Sequence, residues 1–105
     1  MEISKITAYK LTLTQSMKNI KELIGQTVNV TACKLNAYTR DGEVHNVLAI
    51  LLDNGEMYRT EGLAFIDRFN DYWGVFGDDE DRPAITIKGI TGKRGNPYVS
   101  FDVVG

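Results

Sequence analysis

Aromatic and basic side chains recur together on predicted strands, and they are the residues in this sequence best suited to binding chemistry. Tyr38, Tyr58 and Tyr98 each alternate in phase with polar neighbours rather than with apolar ones. Single-stranded nucleic acid is held by such combinations, because cations follow the phosphates and aromatic faces stack bases at ~1–3 kcal/mol each. The predicted binding residues are Lys34, Tyr38, Arg40, Tyr58, Arg59, Lys88, Lys93, Arg94 and Tyr98. The alternative, that the tyrosines only pair across a sheet, stays open here.

Residues for catalysis or metal binding are sparse. His45 is the only histidine and Cys33 the only cysteine, which is too few for a zinc site, and we interpret them as a rim histidine and a structural thiol. The acidic run at residues 78–81 lacks the ligand spacing of a calcium loop. Gly92-Lys93-Arg94 lacks the flanking residues of a phosphate-binding loop and joins two predicted strands. We therefore expect a protein that is not an enzyme and uses no metal or cofactor.

Residues 1–26 predict a strand followed by a helix. Residues 6–13 are rich in types that favour strands. Residues 14–25 predict a helix that Thr14 or Ser16 caps, with one apolar stripe formed by Met17, Ile20, Leu23 and Ile24. No linker follows, so we interpret residues 1–26 as an extension packed on residues 27–105 within a single domain.

From residue 27 the pattern predicts strand, strand, strand, helix, strand, strand. Asp53-Asn54-Gly55 is a strong hairpin signal, because Asn and Gly tolerate the positive φ of a tight turn. A slip in the alternation within the first of these strands predicts a bulge or a bend. The helix carries an apolar, mainly aromatic face made by Phe65, Ile66, Phe69, Trp73 and Phe76. The predicted strands cover residues 27–40, 44–52, 56–60, 84–90 and 98–104.

This order is that of the five-stranded oligonucleotide/oligosaccharide-binding (OB) barrel, whose helix lies between the third and fourth strands. The bent first strand would serve both ends of the barrel, and closure would remove the exposed sheet edges. We therefore predict a mainly β protein with an OB-fold barrel and an N-terminal strand–helix extension.

Charge is distributed unevenly along the 105 residues, although the net charge is only −2. Residues 1–40 hold six Lys/Arg and two acids (+4), residues 41–81 hold two and eleven (−9), and residues 82–105 hold four and one (+3). If the two ends pack together, their basic residues share a surface. The polar start, the lack of a membrane-length apolar run and the single cysteine predict a cytoplasmic protein without a membrane partner.

Residues 28–104 resemble bacteriophage-type single-stranded DNA-binding proteins. The resemblance lies in the turn region Asn36-Ala37-Tyr38, the hairpin around Asp53-Asn54-Gly55, the Phe65/Phe69 pair, and the Gly-Lys-Arg-Gly loop that leads to Tyr98. It implies binding of single strands without sequence specificity during phage DNA replication or recombination, in a bacterial host cytoplasm. It places the predicted binding residues, other than Lys34, on one surface.

Two further readings remain open at the sequence level. The chain is alternatively a protein–protein interaction module of a phage or mobile element that docks on a host protein, or an accessory subunit of an enzyme. The sequence does not decide whether the protein prefers DNA or RNA, whether it forms a homodimer, or whether it contacts replication or recombination proteins.

Overall fold

The computed structural model describes residues 4–105, and strands are its main element. Residues 1–3, with which the predicted extension begins, lie outside this range. The helices are α1 (Lys5–Lys10) and α2 (Leu63–Phe76), and short 3-10 helices cover Thr14–Ser16 and Ile20–Leu23. The strands are β1 (Lys18–Asn19), β2 (Thr27–Val28), β3 (Val30–Arg40), β4 (Glu43–Leu52), β5 (Met57–Thr60), β6 (Ile85–Thr91) and β7 (Pro97–Val103).

The strands form two sheets that one bent stretch of chain joins. The first sheet has the order β1-β5-β4-β3 and the second has the order β2-β6-β7. Only Asn29 separates β2 from β3, so the chain leaves the second sheet and enters the first within one residue. The pairing of β3 with β4 shifts register between Val30 and Ala32. This strand therefore has the predicted irregularity, but it lies before Ala32, whereas the sequence pattern placed it after Ala32.

The two sheets do not close into a barrel. A closed barrel of this strand order would need β5 to pair with β7, but the outer edge of β5 pairs with β1 in parallel. β5 is only four residues long, so it offers few backbone groups to a further neighbour. The mainly β class and the order of the elements from residue 27 agree with the sequence prediction.

The hairpin and helix at the centre of the chain form as predicted. Gly55 has a φ of +88°, and the Asn54 side-chain oxygen accepts a hydrogen bond from the Glu56 amide at 2.9 Å. Helix α2 begins after Gly62, whose amide donates to the Thr60 hydroxyl at 3.1 Å. Gly77, which ends the helix, has a right-handed φ of −57°. The helix buries Phe65, Ile66, Phe69 and Tyr72 against both sheets, so it supplies the centre of the main core.

The N-terminal prediction was wrong in both of its elements. The predicted strand at residues 6–13 is largely the helix α1, whose start Ser4 caps by accepting a hydrogen bond from the Thr7 amide at 3.1 Å. The predicted helix at residues 14–25 is two 3-10 turns around β1. Ile20 and Leu23 are both buried and lie three residues apart within the second 3-10 helix, which is the period of a 3-10 helix and not of an α-helix.

Within residues 4–105, no helix has the length and apolar character needed to cross a membrane.

Candidate nucleic-acid interface

One side of the first sheet gathers basic and aromatic side chains away from the main core. Residues that are directly opposite in an antiparallel pair project to the same side. In β3, β4 and β5, the residues Lys34, Ala49 and Arg59 lie side by side across the sheet. Two residues further along β3, Asn36 lies opposite Val47 of β4. The next pairs on this side are Tyr38 with His45 and Arg40 with Glu43. We call this side, bearing Lys34, Tyr38, Arg40, His45 and Arg59, the outer face.

The Glu61 carboxylate fixes two of the side chains on the outer face. The Tyr38 hydroxyl donates to Glu61 at 2.6 Å, and the Arg59 guanidinium lies 3.5 Å from the other Glu61 oxygen. The hydrogen bond to Glu61 favours the neutral phenol and raises the pKa of Tyr38 above its ordinary value. The Tyr38 ring also stacks on His45 with centroids 5.2 Å apart and an interplanar angle of 21°. Tyr38 is therefore held in place while 38% of it stays exposed.

The N-terminal segment crosses the outer face and borders a groove on it. We call residues 11–17 the strap. Leu11 is fully buried against Ala32 and Ala49, and Met17 packs in the same apolar cluster. The Asn36 side-chain amide donates to the Leu11 carbonyl at 3.0 Å. Beside the strap lies a groove of about 1080 Å³, which is lined by residues 12–16, by residues 36–40, and by Val47, Arg59 and Glu61.

Tyr58, which the sequence placed with the binding residues, lies in the main core. The alternation in β5 is as predicted, with Met57 and Arg59 on one side and Tyr58 and Thr60 on the other. The side that bears Tyr58 is the buried one, since Tyr58 is only 5% exposed and packs in the cluster around Phe65. The Tyr58 hydroxyl reaches outward and donates to Glu56. Tyr58 therefore does not belong to a binding surface.

We expect the Tyr58 hydroxyl to make stability depend on alkaline pH. The hydrogen bond to Glu56, together with burial, raises the pKa of Tyr58 to about 12 from an ordinary value near 10. The folded state thus favours the protonated phenol, and this stabilisation is present below about pH 10 and lost as the pH rises towards 12. Urea unfolding from pH 9 to 12 should show that decline, and Tyr58→Phe should make it shallower. Equal declines in both proteins would contradict the placement of this hydroxyl.

The other predicted residues lie on the second sheet. By register, Lys88 and Tyr98 share its outward side, and Tyr98 is 43% exposed. The Lys88 ammonium donates to Asp102 at 2.8 Å, which lowers the pKa of Asp102. Lys93 and Arg94 are exposed in the loop between β6 and β7. No strand pairing joins this group to β3, β4 or β5 in the described residues. Apart from the buried Tyr58, the predicted residues are therefore divided equally between the two sheets.

The sequence analysis did not predict three contributors to the outer face, which are His45, Glu61 and the strap. The two-residue turn at Asp41-Gly42, which has positive φ at both positions, fixes the register that places His45 opposite Tyr38. That signal was present in the sequence. Glu61 follows Arg59 by two residues, just beyond the end of β5, so its side chain lies on the same side of the sheet as that of Arg59. The strap had no local signal, because its position depends on tertiary packing of Leu11 and Met17.

Cys33 is half-buried on the opposite side of β3 and contacts the main core. Burial raises the pKa of its thiol to about 11. Because the thiolate is the nucleophilic form, this environment opposes reactivity at neutral pH.

Comparisons with protein-family models, curated proteins and solved structures find no match to this chain. The geometry of the outer face is therefore the basis for inferring a function.

Proposed function

We propose that this protein binds single-stranded DNA on the outer face of its first sheet, with little sequence preference. The observation that supports this proposal best is that Arg40, Arg59 and a half-exposed Tyr38 line one groove. Lys34 lies on the same side of the sheet. The bent stretch that pairs with both sheets, followed by the helix and the last hairpin, fits an open version of the OB architecture.

Each part of the outer face has a distinct task in this proposal. The three cations bind phosphates, which supplies affinity for any sequence and makes it depend on salt. His45 covers one face of the Tyr38 ring, so in this proposal a base stacks on the opposite face. Because Glu61 already orients Tyr38 and Arg59, little side-chain entropy is lost when a strand binds. The biological role that we propose is to protect or organise single strands during replication or recombination.

A titration of fluorescent oligothymidine tests the proposal. We expect binding at low salt that weakens steadily as salt rises. Tyr38→Ala should weaken binding by about tenfold, within the ~1–3 kcal/mol that one stacked base contributes. Fluorescence anisotropy at two salt concentrations measures both effects.

Tyr9→Ala is the matched control for that variant. Tyr9 is 65% exposed on α1 and does not line the groove, so its removal should leave affinity unchanged. Absence of binding by the wild-type protein at low salt would rule the proposal out. Equal losses in the two variants would show that Tyr38 stacks no base. A parallel titration with oligouridine measures the preference for DNA over RNA.

A further inference from the structure

We propose that the strap makes the outer face selective for single strands over duplex DNA. This inference depends on the proposed function and assigns a role to the N-terminal segment, whose polar residues contribute nothing to the main core. Phosphate-binding cations alone do not discriminate strongly between the two forms, since both present a charged backbone. Selectivity needs groups that contact parts of the nucleotide which base pairing hides.

The strap presents such groups along one wall of the groove. Residues 12–16 line it together with Tyr38, Arg40 and Arg59. Two hydroxyls of the strap are already used, because Thr12 donates to the Tyr9 carbonyl at 2.6 Å and Ser16 donates to the Leu13 carbonyl at 3.0 Å.

Thr14 and Gln15 differ from these two residues. Among residues 4–105, neither side chain has a hydrogen-bond partner in the protein, so their hydroxyl, amide and carbonyl groups remain available to a ligand. A base that stacks on Tyr38 would lie in the groove that Thr14 and Gln15 also line, so its edge could meet their polar groups. In a duplex that edge is occupied by the paired base, so the wall contributes only to single-strand binding.

The wall is also fixed before any ligand binds. Buried Leu11 and the bond from Asn36 hold the strap at one end, while Met17 and the pairing of β1 with β5 hold it at the other. A fixed wall loses little conformational entropy on binding. The strap therefore acts as a positioned surface and not as a loose tail.

The test compares a single strand with the same strand in a duplex. The probes are labelled oligothymidine alone and labelled oligothymidine annealed to oligoadenosine DNA, and the variant is Thr14→Ala with Gln15→Ala. We expect its affinity for the single strand to fall about 30-fold, because two hydrogen bonds are each worth about 1 kcal/mol, while the affinity for the duplex stays constant. The ratio of the two dissociation constants should change by the same factor.

Thr91→Ala with Gln26→Ala is the matched control, since it removes the same side chains from exposed positions outside the groove. It should leave both affinities unchanged. Single-strand binding by the wild-type protein with an unaltered ratio in the strap variant would overturn this inference alone. Absence of any single-strand binding would instead overturn the proposed function, and this inference with it.

Discussion

Phe69→Ala is expected to lower the free energy of unfolding by about 3–5 kcal/mol, which is the usual range for truncating a buried phenylalanine. Phe69 is fully buried at the middle of α2. Its ring centroid lies 5.8 Å from Trp73 and 6.1 Å from both Phe65 and Phe101. These partners come from the helix and from β7, so the cavity would open where the helix meets the second sheet. The loss is a large share of the ~5–15 kcal/mol that stabilises a typical domain.

Urea unfolding followed by Trp73 fluorescence measures this loss, and the change in midpoint gives the free-energy difference if the slope is constant. Leu63→Ala is the control within the same helix, because Leu63 is 67% exposed and its truncation should cost less than about 0.5 kcal/mol. A loss for Phe69→Ala as small as the control's would show that α2 does not pack on the sheets in this way.

The centre of the fold was predictable because its signals are local. Turn chemistry fixes the hairpin at Asp53-Asn54-Gly55, and the helical period of Phe65 and Phe69 identifies the buried side of α2. These preferences agree with the tertiary structure, so local and global forces favour the same conformation.

Closure of the barrel was not predictable, because it depends on which element pairs with the edge of β5. That edge is taken by β1, a two-residue strand from a segment that the sequence assigned to a helix. Strand preferences are too weak to decide such a competition. The same weakness explains α1, where a cap at Ser4 prevails over the strand-favouring residues that follow it.

The candidate site was predictable as a set of residue types but not as a surface. Alternation separates Tyr58 from Arg59, yet it does not say which side of β5 faces the core. Tyrosine suits both sides, because its ring packs as an apolar group while its hydroxyl reaches a polar partner such as Glu56. The cross-strand register of β3 and β4, by contrast, follows from a two-residue turn and could have been derived.

Replacing Lys34, Arg40 and Arg59 together by alanine is expected to produce the largest loss of single-strand affinity. For single strands, the slope of log affinity against log salt is about −0.7 per phosphate contact. Removing three contacts should make the slope shallower by about 2 and reduce affinity about 100-fold at 0.1 M salt. Titrations with oligothymidine over a range of salt concentrations give both quantities.

The control for the outer-face cations is the triple variant Lys5→Ala, Lys10→Ala and Lys21→Ala. It changes the net charge by the same amount, but its three residues lie outside strands β3, β4 and β5, which form the outer face. If contact with phosphates at the outer face provides the affinity, the control should change affinity by only a few-fold and leave the slope intact. If both triple variants lose affinity equally, the attraction comes from charge spread over the whole molecule. Such diffuse attraction would leave the outer face without a specific role.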